Sequence, residues 1–495
     1  MKNKIIYTAV LCAYTSAALA QSDVDALRYS NTPALGTTAR SIGLVGAVGA
    51  LGADPSVVQS NPAGLAQYKT NIFDFSLGTN TQKNQSSYLN ALKKNSSTFN
   101  PELSAINLIF TERKIKRGNP TTTGWVNVNF QLGYNRSASF NRNMSFKGVS
   151  NNSYTDYVAS FVKGLDYNAL ESNQEQQNQG YYYFENMFWY TYLIDSSSNK
   201  NYVPTYDKAL GGIGQRGQII SQGGMNEFNV AYAANYEHKL YLGVAINLSN
   251  VNYSEKNTFS ETDNPLTGNN WNSFEFSRNL QTSGYGVGGR LGIIFRPNTN
   301  LRFGGTLHTP TKLMLTDNYS DALSVQYDDG GSEDLKTIEK KFSYSVVTPT
   351  KYGLQAAYLF GKKGFISAEI ESIDYSLMNL SSDATLFEDV NDNIATKYSN
   401  TTNLKIGAEY VLNSFRLRTG FATIGNPLAS GSEYSRRIIS GGFGIQEKQW
   451  ALDVGMSKDI VSDVYVPYTI PGITPQGVSN SLLGTRLMVT VTNKF

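Results

Sequence analysis

The chain is short of the side chains that carry most protein chemistry. Its 495 residues include one cysteine, Cys12, and two histidines, His238 and His308. Charged residues make up only 16% of it. Beyond the first twenty positions no apolar run approaches the roughly 18 residues that a membrane-crossing helix needs. Each shortage excludes something. Residues 1–20 read as a secretory signal peptide. Lys2 and Lys4 form its basic start, Ile5 to Ala17 its apolar core, and Ala18-Leu19-Ala20 the small-residue site before Gln21. Leu11 precedes Cys12 where lipid attachment requires a small residue. Cleavage would therefore leave a cysteine-free chain, which excludes disulfides, thiolate metal sites and a thiol nucleophile. It would also leave 40 basic against 39 acidic side chains. A nearly neutral chain offers no electrostatic footprint for nucleic acid.

Catalysis finds no support in what remains. His238 lies in a predicted turn and His308 on a predicted inward face, and neither belongs to a nucleophile-and-base pattern. Haem ligation would rest on His308 alone, without a recognisable motif. No catalytic residue, metal ligand or bound cofactor is assigned, and the chain is not expected to be an enzyme.

What the chain has in quantity is glycine (44), tyrosine (32) and phenylalanine (24). They fall into segments that alternate with period two. Phe73, Phe75 and Leu77 alternate with Asp74, Ser76 and Gly78. Val126, Val128, Phe130, Leu132 and Tyr134 alternate with Asn127, Asn129, Gln131 and Gly133. The same holds for Phe228, Val230 and Tyr232, for Leu240 to Leu248, and for Trp450, Leu452, Val454 and Met456. Strands with one apolar and one polar face are the signature of a transmembrane β-barrel. The last strand places Leu487, Val489, Val491 and Phe495 on one parity. A final amphipathic strand ending in phenylalanine resembles the signal read by the outer-membrane insertion machinery.

Connections sort by length. Long polar segments are predicted at about 80–102, 136–225, 253–283, 312–342, 377–402, 424–436 and 459–481, separated by short turns. Long loops on one side and short turns on the other join fourteen antiparallel strands. The expected fold class is all-β, a fourteen-stranded barrel over residues 71–495.

Ahead of the strands lies Gly36 to Ala66, GTTARSIGLVGAVGALGADPSVVQSNPAGLA. Gly43, Gly46, Gly49 and Gly52 recur every third residue before Asp54-Pro55, and the chain then turns through Asn61-Pro62-Ala63-Gly64. A short helical segment with a glycine strip for close packing is expected here. Its apolar run, about a dozen residues, is too short to span a bilayer. This stretch resembles the N-terminal hatch of the long-chain fatty-acid transporter family (FadL/TodX type). The resemblance rests on Ala39-Arg40-Ser41, Ala53-Asp54 and Ser60-Asn61-Pro62-Ala63-Gly64-Leu65-Ala66. Later motifs agree: Phe295 to Gly304 running into Thr309-Pro310, and Lys405 to Tyr410 followed by Leu417 to Phe421 and Asn426-Pro427.

The resemblance implies a bacterial outer-membrane barrel, in contact with membrane lipid, whose residues 21–70 form a hatch. Gly43, Gly46, Gly49, Asp54, Asn61, Pro62 and Ala63 are its expected key positions. It implies diffusion of a hydrophobic small molecule, such as a long-chain fatty acid or an aromatic compound, through a hatch-gated path. The aromatic groups Tyr181-Tyr182-Tyr183-Phe184 and Phe188-Trp189-Tyr190, in the 136–225 insertion, are candidates for an outer capture groove or for plain loop packing. Parity turns Arg290, Arg302, Lys405, Arg416, Arg418 and Arg486 inward with Glu409 and Asp453. Arg416 and Arg418 are candidates to clamp a substrate carboxylate, or to neutralise those acids. An alternative function, also implied by barrels of this type, is an outer-membrane component of a protein secretion system.

Overall fold

The computed structural model describes residues 21–89, 91–116, 118–171, 184–198, 200–206, 212–263, 271–430 and 434–495. Residues 1–20, the expected signal peptide, and Tyr181, Tyr182 and Tyr183 lie outside the described residues. Fourteen antiparallel strands close into a barrel. They are β1 (Ile72–Ser87), β2 (Lys94–Arg113), β3 (Trp125–Ser139 and Arg142–Ser150), β4 (Ile213–Tyr236) and β5 (Leu240–Thr262). There follow β6 (Trp271–Phe295), β7 (Leu301–His308 and Lys312–Tyr327), β8 (Lys340–Val347 and Lys351–Leu359), β9 (Gly364–Asp374) and β10 (Asn400–Leu412). The last are β11 (Phe415–Ile424), β12 (Ser435–Gln446), β13 (Trp450–Tyr465) and β14 (Val478–Lys494). Closure is a full ladder between first and last strands, from Ile72 opposite Lys494 to Ser87 opposite Ser479. Beyond it Asn71 and Phe495 exchange two backbone hydrogen bonds of 3.1 Å. A closed ring leaves no strand edge unpaired, which the bilayer interior requires.

The alternation sorts the two faces as the sequence indicates. Leu77, Phe228, Val244, Leu417, Leu452 and Val491 are exposed on the outer surface. Asp74, Asn107, Gln131, Asn229 and Lys405 are buried on the inner one. An apolar belt around a closed barrel is a transmembrane barrel of the outer-membrane type.

The strands outrun the membrane. β4, β5 and β6 contain 24, 23 and 25 residues, whereas about 9–11 suffice to cross. Much of the polar sequence at 80–102, 253–283 and 312–342 is therefore paired strand: β1 runs to Ser87 and β2 starts at Lys94, β5 runs to Thr262 and β6 starts at Trp271, and β7 runs to Tyr327. Above the bilayer both faces of a ladder meet polar surroundings, so alternation fades while hydrogen bonding continues. The sequence near 343–360 lacks a continuous strand pattern for another reason. Thr309-Pro310-Thr311 and Thr348-Pro349-Thr350 interrupt β7 and β8 at the same height, and the flanking register sets Pro310 opposite Pro349. Neither proline has an N–H to give the ladder.

Candidate functional site

The hatch is mostly irregular chain held inside the barrel. It comprises α1 (Asp23–Ser30), α2 (Ala39–Gly43) and two 3-10 turns, Pro55–Gln59 and Pro62–Gln67. The expected glycine-strip helix ends at Gly43; turns follow. Val45, Gly46, Gly52 and Ala53 all have positive φ, at 49°, 78°, 63° and 53°. Gly46 N–H closes a turn onto the Ser41 carbonyl at 2.9 Å, and Gly52 N–H onto Val48 at 3.0 Å. Closely spaced glycines thus free the backbone to reverse repeatedly, which competes with regular helix. Close packing is nonetheless found: a methyl group on Gly49 would come within 2.8 Å of the Gln355 side chain.

Asp54 and Asn61 start the two 3-10 turns. The Asp54 carboxylate accepts from Ser56 N–H at 2.9 Å and from Thr38 Oγ1 at 2.8 Å. Asn61 Oδ1 accepts from Ala63 N–H at 3.1 Å, while its Nδ2 donates to Ile293 O and Gln355 Oε1, both at 3.2 Å. Pro62 and Ala63 then lie against Gly243 and Gly292, two members of a row of small residues crossing the wall. Ala233, Gly243, Gly292, Thr306 and Gly353 stand side by side on β4 to β8. A Cβ on Gly243 would overlap Pro62 and Ala63, and one on Gly292 would overlap Asn61. Sequence reasoning missed this row; its trace was a glycine at inward parity between lipid-facing aliphatics, as in Leu242-Gly243-Val244. Asn61→Ala removes the cap and both wall bonds. The expected loss is about 1–2 kcal/mol of hatch seating, seen as faster proteolysis within residues 44–66 of the folded barrel.

Irregular backbone at membrane depth must find hydrogen-bond partners within the protein. Here wall side chains supply them to hatch carbonyls. Gln131 Nε2 reaches Pro55 at 3.0 Å, Asn127 Nδ2 reaches Ala66 at 3.0 Å, and Ser367 Oγ reaches Ala47 at 2.6 Å. Ser440 Oγ donates to Gly43 at 2.9 Å, and Arg302 to Leu51 at 2.5 Å. The polar inner face of the barrel is the complement of this chain.

Charge adds ion pairs between this segment and the wall. Arg418 donates to Glu409 and to Asp453, each at 2.6 Å. Hatch residue Arg40 approaches the same Glu409 at 3.6 Å and Asp54 at 4.0 Å. Burial pulls the Arg40 guanidinium toward neutrality, but Glu409 and Asp54 outweigh it and hold it above the usual arginine value. Lys405 bonds Glu369 and the Ala34 carbonyl at 2.9 Å, and Arg290 bonds Glu227 at 2.8 Å. Arg416 points to its own turn, donating to the Asn413 and Phe415 carbonyls at 2.7 and 2.9 Å.

Between α1 and the wall lies a small polar cavity of about 70 Å³. Tyr29, Arg290, His308, Lys351, Glu371 and Arg486 are among its lining residues. Among the described residues Arg486 has no ion pair or side-chain hydrogen bond. Lys351 donates only to the Thr32 carbonyl, at 3.2 Å.

The aromatic candidates lie at the other end of the barrel from Arg416. α3 (Tyr154–Phe161) and α4 (Phe184–Tyr190) belong to the outer insertion. Phe188 is fully buried, with ring centres 5.8 Å from Tyr154, 6.0 Å from Phe274 and 5.8 Å from Phe276. Phe184 stacks edge-on against Phe188 and Phe276, and Trp189 against Tyr202 at 5.7 Å. These rings pack on each other and on the strand ends as a lid. The structure does not bring them together with Arg416 or Arg418.

No protein-family model and no curated protein matches the chain. Solved structures do. The P. putida toluene transporter TodX aligns over 94% of this chain and 99% of its own, with 13% identity and a TM-score of 0.53. A Pseudomonas aeruginosa FadL homologue aligns over 93% and 98%, with 12% identity and a TM-score of 0.54. With its fourteen strands and its internal hatch, the chain has the fold of the FadL/TodX-type barrels.

Proposed function

We propose that this protein is a bacterial outer-membrane channel for hydrophobic small molecules, gated by the hatch at residues 21–70. The carrying observation is the bore itself. Hatch backbone is bonded to the wall through Gln131, Asn127, Ser367, Ser440 and Arg302, and the cavity beside α1 holds about 70 Å³. Ligand sites run from about 300 to 1,000 Å³. A substrate therefore enters only when the segment Tyr29 to Thr37 moves. The fold is shared with a toluene transporter and a FadL homologue, which supports an apolar cargo. The aromatic lid, with Phe184, Phe188 and Trp189, would receive it first; Tyr183, the fourth expected residue, lies outside the described residues. The C-terminal strand ending in Phe495 would direct the chain to the insertion machinery.

The cavity chemistry narrows the cargo. Arg486 and Lys351 are cations without a carboxylate partner within ion-pair distance among the described residues. A substrate with an apolar body and an anionic end would supply one, as a long-chain fatty acid does. The test compares binding of a long-chain carboxylate and of toluene to the purified barrel. Arg486→Gln with Lys351→Gln is expected to weaken the carboxylate about tenfold, roughly 1.4 kcal/mol, and to leave toluene unchanged. Equal loss of both ligands, or no loss of the carboxylate, overturns the assignment. Organic extraction of the protein followed by mass spectrometry tests the broader reading. An apolar compound lost on deletion of residues 21–66 supports it, and a co-purifying partner protein in an empty barrel opposes it.

A further inference from the structure

A ligand-sized space lies on the outside of the barrel. At the short-turn end of β9, β10 and β11 the apolar belt is dented by a groove of about 530 Å³. The register explains it. Gly364, Tyr410 and Leu417 form one outward row, and Ile366, Ala408 and Thr419 the next. Small residues at 364, 408 and 419 form the floor, while Phe360, Ile366, Tyr410 and Leu417 stand around it, all exposed. The inward neighbours Glu409 and Arg418 are engaged with each other on the lumen side. Position 364 admits only glycine, because it has φ +145° and a Cβ there would overlap the Glu409 carbonyl.

The mouth of the groove is basic. The turn Gly361-Lys362-Lys363-Gly364 places two exposed lysines at the edge of the belt, and Lys363 lines the groove. Neither side chain has a hydrogen bond or ion pair among the described residues. An apolar slot opening toward lipid, with free ammonium groups at headgroup height, matches one chemistry. Acyl chains gain by filling apolar surface, and phosphates are drawn to lysines at the interface.

We propose that this groove binds one anionic glycerophospholipid from the surrounding leaflet, with an acyl chain over Ala408 and the phosphate at Lys362 and Lys363. The site is separate from the lumen and does not depend on what the channel transports.

Native mass spectrometry of the full-length barrel in mild detergent tests the proposal, using added phosphatidylglycerol and phosphatidylcholine. The native protein is expected to retain one phosphatidylglycerol, about tenfold more tightly than phosphatidylcholine. Lys362→Gln with Lys363→Gln is expected to remove that preference while one lipid still binds. Ala408→Trp fills the floor and is expected to abolish retention; Thr419→Trp repeats the test if the first variant fails to fold, as judged by heat-shifted gel mobility. Inorganic phosphate at millimolar concentration is expected not to displace the lipid. Unchanged retention in the folded tryptophan variant overturns the proposal. So does displacement by phosphate, an absent headgroup preference, or a second copy of the chain held in place of lipid.

Discussion

Gly243→Leu combined with Gly292→Leu is expected to convert a closed barrel into a leaking one. The two glycines are direct cross-strand partners on β5 and β6, and together they seat Asn61, Pro62 and Ala63. A side chain at either position overlaps hatch atoms without disturbing the lipid-facing surface. Overpacking of this kind costs about 1–3 kcal/mol per site, enough to favour an unseated hatch. Because the strand ladders and outer belt are unchanged, the variant should still insert and show heat-shifted mobility. In planar bilayers the native protein is expected to be nearly silent, and the double variant to conduct as the chain lacking residues 21–66 does. Cells producing it should become sensitive to bulky water-soluble antibiotics. A silent double variant beside a conducting deletion would show that the glycine seat does not hold the gate.

The second large effect is expected at Arg418. Its side chain is 3% exposed and is shared between Glu409 and Asp453. Arg418→Leu leaves those carboxylates with Arg40 of the hatch as their nearest remaining cation, 3.6 Å from Glu409. Breaking a buried pair by removing one partner costs about 3–5 kcal/mol, because a desolvated charge is left behind. The measurement is the urea midpoint of the barrel in detergent. Arg418→Leu is expected to lower it strongly. Adding Glu409→Gln and Asp453→Asn should restore most of the loss, since the uncompensated charges then disappear. A single variant within 1 kcal/mol of the native protein, on the scale of an exposed pair, would overturn this expectation. The same geometry bears on the idea that Arg416 and Arg418 clamp a substrate carboxylate. Arg418 already has two carboxylates and Arg416 is spent on its own turn, whereas Arg486 lines the cavity unpaired.

How much of this was legible in the chain depends on the range of the interaction. Period-two alternation in segments such as Phe228 to Tyr232 is a local property, and lipid on one side enforces it; it marked the faces correctly. Strand number followed from turn spacing for the same reason. The alternation stopped being informative where strands rise above the bilayer, and where Pro310 and Pro349 break β7 and β8. The Asn61-Pro62-Ala63-Gly64 motif announced a turn through its own capping chemistry, whereas its expected place in a hatch came from the family resemblance.

Partners were not readable. Parity placed Arg290, Arg418 and Arg486 inside, but only closure of the barrel shows that two of them meet acids and the third faces a cavity. The seat formed by Gly243 and Gly292, within the row Ala233, Gly243, Gly292, Thr306 and Gly353, consists of single residues on different strands. It becomes one surface only through strand register. The glycine run at 43–52 shows the same limit in reverse. Locally it fits a helix strip or a series of turns, and the wall decides between them by supplying hydrogen bonds to the carbonyls that the turns leave free. The sequence by itself thus determined which side of each strand faces lipid and where the chain bends, because solvent and capping act within a few residues. The seating of residues 36–67, the ion pairs around Glu409 and the cavity were decided by tertiary structure, because each is assembled from residues hundreds of positions apart.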